Sequence, residues 1–231
     1  MTNSWRLIQT KPHNGVFNMA LDEALLISAS EKKATPALRL YSWDPPALSL
    51  GYAQSINDVN LESLNDFGWG LVRRATGGRA ILHTDELTYS ITAPVDDLIM
   101  AGSLLESYQR ISRALLSALS LLGIEATADS VYPQPGIVNK KDPVCFEVPS
   151  NYEVTVAGKK LIGSAQARKS NGVLQHGSLP LTGDLSRITQ VLKYENEEKR
   201  MKGVASLLSH AGTILSLTGK QISLAEASAA F

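Results

Sequence analysis

Between Glu153 and Leu179 the chain runs through three short apolar-rich stretches separated by compact turns, a pattern that builds an antiparallel meander into the fold. Glu153 to Val156 alternates as a strand, Ala157-Gly158 is the turn, Lys160 to Ala167 returns, and Val173 to Leu179 forms the third strand. A two-residue turn joins only antiparallel neighbours, because a parallel connection needs a dozen or more residues. Such a sheet must cover its apolar face. Ser103 to Leu122 supplies a cover, with Leu104, Tyr108, Ile111, Leu115, Leu119 and Leu122 on one helical stripe and Gly123 terminating it.

Upstream, a strand is expected at Trp5 to Ile8 and a helix from Gly15 to about Ser28, capped by Asn14, with Asp22 and Glu23 on its solvent side. Leu38 to Tyr41 and Ala47 to Leu50 read as strands around the breaker Trp43-Asp44-Pro45-Pro46, a β-turn-β unit. Asn57 to Phe67 has helical spacing and ends at Gly68, and strands follow at Gly70 to Arg74 and Glu86 to Ala93. Asp129 to Pro143 is a loop. Beyond about residue 185 the pattern is helical: Leu185 to Leu192, a mixed-charge segment Tyr194 to Lys202, Val204 to Leu217, and a last helix from Ser223, where Ser223 and Glu226 have capping-box spacing. With no internal repeat or linker, residues 1–231 are read as a single domain.

The 22 basic and 22 acidic residues cancel, so no global field favours nucleic acid or a membrane surface. No apolar run approaches the ~20 residues that span a bilayer. With one cysteine there is no intrachain disulfide, and residues 1–28 show no secretory leader; the expectation is a soluble cytoplasmic protein without nucleic-acid or membrane partners.

The chemistry-bearing segment is Arg73-Arg74-Ala75-Thr76-Gly77-Gly78-Arg79-Ala80-Ile81-Leu82-His83. Paired glycines let backbone approach a bound group, and three nearby arginines favour a carboxylate, phosphate or pantetheine-like chain over a plain turn. Lys160 opens a strand that leads into the small residues Gly163, Ser164 and Ala165, which leave room above a sheet. An inward Lys160 ammonium can hydrogen-bond an acyl carbonyl or carry a proton. Cys145 is the lone cysteine. Such a residue is ordinarily a small buried hydrophobe, but its place at a loop end near Lys140 and Lys141 leaves a nucleophilic role open.

Other chemistries lack their signatures. Gly158-Lys159 has neither the upstream glycine nor the following Ser or Thr of a P-loop, and the dinucleotide fingerprint and the Gly-x-Ser-x-Gly elbow are missing. His13, His83, His176 and His210 show no metal-ligand spacing, so no metal site is expected; His83 and His176 read as structural hydrogen-bonders beside the candidate pocket.

In order along the chain, Asn18 to Glu23, Leu48 to Gln54, Arg73 to His83, Lys160 to Gln166 and Gln175 to Leu179 resemble the successive blocks of the biotin/lipoate protein-ligase catalytic superfamily. The resemblance covers about Trp5 to Leu192. It implies an α+β domain, a mixed and largely antiparallel sheet flanked by helices, that binds lipoyl or octanoyl groups. The arginine-glycine block would hold the head of the acyl group or acyl-adenylate, and Lys160 would contact the acyl carbonyl.

Within that superfamily Cys145 to Glu153 resembles the cysteine block of the octanoyltransferases on the lipoate-ligase fold, and Gly-Gly-Arg at 77–79 agrees. The resemblance then implies an octanoyl group moving from octanoyl acyl carrier protein, through a Cys145 thioester, to a lysine of a lipoyl domain or the glycine-cleavage H protein, without a cofactor. Expected site residues are Cys145 and Lys160 for catalysis, and Arg73, Arg74, Thr76, Gly77, Gly78, Arg79, His83, Gly163, Ser164, Ala165 and His176 for substrate. The alternatives are a ligase using ATP and Mg, an amidotransferase between lipoyl domains, and a noncatalytic lipoyl-domain binding module. Lys140, Lys141, Lys159, Arg168 and Lys169 are candidate docking cations for acidic partners.

Overall fold

The structure is a computed structural model that describes residues 4–128 and 153–231. Cys145, Lys140 and Lys141 lie outside the described residues, as does the Asp129 to Pro143 loop.

The first half contains β1 (Arg6–Gln9), α1 (Gly15–Ser30), β2 (Ala37–Tyr41), β3 (Ala47–Leu50), α2 (Leu61–Asp66), β4 (Gly70–Arg73), β5 (Ile81–His83), β6 (Glu86–Pro94) and α3 (Leu104–Leu121). The second contains β7 (Val154–Val156), β8 (Lys159–Lys169), β9 (Gly172–Pro180), α4 (Glu197–His210), α5 (Ile214–Thr218) and α6 (Leu224–Ala230). A six-stranded sheet has the order β1-β2-β6-β9-β8-β7, and a three-stranded sheet the order β4-β3-β5. β1 runs parallel to β2 and β4 to β3; every other pairing is antiparallel. This is the expected α+β class.

The meander forms as expected. Ala157 at φ 50° and Gly158 at φ 76° provide the two positive values that the tight β7–β8 turn requires. Ser103 caps α3 reciprocally with Glu106, and Ile111, Leu115 and Leu119 of its stripe are buried against Leu87, Tyr89, Leu161 and Ile162 of the large sheet. Each such side chain contributes roughly 1.5–3 kcal/mol by leaving water. A second core cluster, including Leu48, Leu50, Ile81, Ile188 and Leu207, packs on the small sheet.

Five expectations need correction. Asp22 does not face solvent: it is 1% exposed, because Asn18, Asp22, Leu25, Leu26 and Ala29 share the face of α1 that packs inward, and the carboxylate meets a buried cation there. Only Glu23 is exposed. The strands around Trp43 to Pro46 do not form one β-turn-β unit, since β2 joins the large sheet and β3 the small one. The expected 57–67 helix is a 3-10 turn at Ile56–Asp58 followed by α2, capped by Asn60. The helix expected over Val204 to Leu217 breaks at Ala211, where Thr213 starts α5 with its own capping box, and Leu185–Gln190 is 3-10 rather than α-helical. Among the described residues, no helix is long and apolar enough to cross a membrane.

Candidate active site

Residues of both sheets and of α1 line a cavity of about 370 Å³, its mouth included. Gly163, Ser164 and Ala165 of β8 and His176, Gly177 and Ser178 of β9 form one wall; Met19, Tyr41, Trp43, Ile81, His83, Thr88 and Arg74 complete the lining. Gly177 in this wall is small for a packing reason: a Cβ there would come within 2.6 Å of Tyr89 Cε1 and 2.7 Å of the Gly163 carbonyl. Tyr89 meets Ser164 Oγ at 2.7 Å, which fixes that serine.

Two histidines stand in this lining, and each links a carboxylate to a hydroxyl. His176 Nε2 is 2.6 Å from Thr76 Oγ1, and its Nδ1 is 3.4 Å from Asp22 Oδ2. Burial pushes the imidazole below its usual pKa, outweighing the pull of Asp22, so it is neutral at pH 7. Nδ1 therefore donates to Asp22 and Nε2 accepts from Thr76. Burial alone would push the Asp22 carboxyl up, but His176, Arg39 and Ser90 offset this and hold it below the usual carboxylate value. Arg39 meets it at 2.8 Å and Tyr41 at 2.9 Å, while Arg39 also covers the Tyr41 ring.

His83 repeats the arrangement. Its Nδ1 is 2.7 Å from Glu86 Oε1 and its Nε2 is 2.7 Å from Ser49 Oγ, with Trp43 stacked on the ring at 4.0 Å. Glu86 also accepts from Thr88 and Ser178.

The glycine segment crosses from β4 to β5. Arg74, 2% exposed, donates to the carbonyls of Ser49, Gly77 and Arg79. Arg73 donates to those of Gly51, Tyr52 and Gln54. Both guanidinium groups thus shape the two facing loops from within, and Arg74 also lines the cavity. Thr76 is buried, Gly77 and Gly78 are exposed, and Gly78 adopts φ 92°. The loops meet so closely that a Cβ on Gly51 would lie 1.8 Å from the Gly78 carbonyl oxygen. Arg73, Thr76, Gly77, Gly78 and Arg79 are not among the residues that line the cavity.

Lys160 is 5% exposed and its Nζ donates to Glu153 Oε1. It stands three residues before the Gly163 to Ala165 wall on β8, about 10 Å along a strand. Of the docking cations, Lys159 donates to the Leu208 carbonyl, and Arg168 to those of Met100, Gly102 and Ser103.

Sequence reasoning missed Asp22, Tyr41, Trp43 and Glu86. For Asp22 a signal existed: it falls four residues after Asn18 and three before Leu25, on the buried helical stripe. Glu86 and Trp43 carry no such signal, since the contacts of Glu86 with Ser178 and of Trp43 with His83 and Thr88 join segments far apart in sequence.

Residues 14–231 match the lipoyl protein ligase A/B catalytic domain family. The chain belongs to that family. Among this family's octanoyltransferase LipM proteins, that of Moorella thermoacetica is 41% identical over 220 residues, covering 95% of this chain and 80% of the relative. LipM of Carboxydothermus hydrogenoformans is 41% identical over 229 residues, covering 99% and 84%. In three dimensions the chain is similar to the bipartite lipoate protein ligase of Thermoplasma acidophilum, with a TM-score of 0.77, 26% identity, and coverage of 98% of this chain and 80% of that one. A lipoate-protein ligase A bound with ATP, with a TM-score of 0.76 and 24% identity over 98% of this chain and 82% of that one, shares the fold.

Proposed function

We propose that this chain is an octanoyltransferase of lipoate biosynthesis that takes octanoate from octanoyl acyl carrier protein onto Cys145 and passes it to a lysine of a lipoyl domain or the glycine-cleavage H protein. The observation that carries the proposal is the 41% identity to octanoyltransferases along nearly the whole chain.

On this reading the acyl tail lies against Gly163, Ser164 and Ala165, beside His83 and His176. The Thr76-Gly77-Gly78-Arg79 loop, shaped by Arg73 and Arg74, borders its head. The Cys145 thiolate attacks the donor thioester, the carbon–sulfur bond of the carrier breaks, and the carrier thiolate leaves. One thioester replaces another at nearly equal free energy, so no ATP is consumed. The acceptor amine then attacks the acyl-enzyme and its proton passes to the departing Cys145 thiolate. Lys160 hydrogen-bonds the carbonyl oxygen as negative charge develops in each step. No cofactor takes part.

The test is incubation with octanoyl carrier protein and an apo lipoyl domain, with and without ATP. Octanoylation of the domain without ATP supports the proposal. Modification that requires ATP and free octanoate replaces it with a ligase, modification only from an octanoylated lipoyl domain replaces it with an amidotransferase, and binding of the domain without modification makes the chain a noncatalytic module.

A further inference from the structure

Lys159 and Lys160 are neighbours on one strand and, as successive strand residues do, point to opposite faces. Lys159 reaches outward to a carbonyl at the end of α4, while Lys160 turns into the protein and meets Glu153, seven residues earlier. The pairing beside Lys160 is irregular. Val154 pairs with Ile162 but Thr155 pairs with Lys160, so Leu161 is an extra residue on β8. A bulge of this kind re-aims the side chains beside it and recurs next to reactive sites. Glu153, immediately before the edge strand β7, stands where the re-aimed ammonium arrives.

Among the described lysine and arginine ion pairs, only this one and Arg39–Asp22 are nearly enclosed on both sides; Lys160 and Glu153 side chains are 6% and 12% exposed. Enclosing an ion pair confers less stability than a well-packed apolar pair would, so stability alone does not account for it. Arg39–Asp22 is woven into a network of four elements. Glu153–Lys160 sits at the end of a hairpin, on the strand that forms the cavity wall.

We infer that Glu153 is the positioning residue for Lys160: its carboxylate and the β8 bulge hold the ammonium on the acyl carbonyl. The inference rests on the role given to Lys160 in the proposed function. It adds no bond-making step, because Glu153 acts only through the lysine it holds.

A double-mutant cycle tests this, with Glu153→Ala, Lys160→Ala and the pair compared in single-turnover acyl transfer. Glu153→Ala is expected to lower the rate at least tenfold with the KM for the acceptor domain unchanged. Glu153→Gln, which keeps an acceptor oxygen, is expected to recover most of it. The double variant should lose no more than Lys160→Ala alone. Losses that multiply, or a Glu153→Ala variant as fast as the unmutated chain, overturn the inference.

A second readout does not depend on which acyl reaction the chain performs. Labelling with an amine-reactive ester, read by peptide mass spectrometry, should modify Lys160 several-fold faster in Glu153→Ala, with Lys220 as the internal reference. Unchanged labelling overturns the inference even if the octanoyltransferase reading stands. Faster labelling supports it even if the donor proves to be something other than the carrier protein.

Discussion

His176 Nε2 and Thr76 Oγ1, one hundred residues apart in sequence, meet at 2.6 Å and tie the glycine segment to the central strand β9. Thr76 is fully buried, so the hydroxyl has no water to turn to. Thr76→Val leaves the ring nitrogen of His176 without its donor and should cost about 1–3 kcal/mol in urea denaturation. Thr76→Ser should restore most of it. A valine variant as stable as the parent would show that the tie does not hold the loop.

Asp22 and Arg39 are a buried pair; Tyr41 and Ser90 also donate to the carboxylate, and Asn18 accepts from the guanidinium. Arg39→Met strands the carboxylate and should cost about 3–5 kcal/mol. Replacing both, as Asp22→Leu with Arg39→Met, should cost less than the single change. Chemical denaturation checks this, and a double variant that is worse than Arg39→Met would contradict it.

The neutral His176 sets a pH dependence. Its folded pKa is depressed by burial, so the unfolded chain binds a proton at about pH 6.5 while the folded chain resists it. The stability from this group is present above about pH 6.5 and is lost as pH falls below that value toward the folded pKa. Asp22, also depressed, contributes its own loss at more acid pH. The urea midpoint should therefore decline from about pH 6.5 downward, and His176→Gln should flatten the upper part of that decline. Parallel curves for the two proteins would rule out His176 as the titrating group.

Gly51 and Gly77 separate packing from ligand contact. Gly51→Ala places a carbon 1.8 Å from the backbone oxygen of Gly78, so the loops must part and both stability and acyl transfer should fall, the latter at least tenfold. A Cβ on Gly77 meets nothing within 4 Å. Gly77→Ala should keep the thermal midpoint and raise the KM for the acyl donor. An unchanged KM would remove Gly77 from the acyl site.

The meander, the α3 stripe and the capping box at Ser223 were legible because each is written in residues close together in sequence. The two-sheet split was not. Strands on either side of Trp43 to Pro46 look like hairpin partners, and their separation is decided by pairing with β6 in one case and with β4 and β5 in the other. The short strand Ile81–His83 was hidden in the glycine segment for the same reason. At the site, the local sequence marked His83, His176 and the small residues Gly163 to Ala165, all of which line the cavity. It did not show that Arg73 and Arg74 also hold the loops, because their carbonyl partners in the Gly51 to Gln54 loop and at Ser49 are reached through the fold. It placed Asp22 in solvent because an acidic residue on a helix usually belongs there, and the buried arginine that retains it sits 17 residues on.

Intact-protein mass spectrometry after incubation with octanoyl carrier protein alone reads the proposed Cys145 thioester itself. A single octanoyl adduct is expected that hydroxylamine removes, that a lipoyl domain discharges without ATP, and that Cys145→Ala abolishes. An acceptor octanoylated at the parental rate by Cys145→Ala, with no adduct on the enzyme, would contradict it.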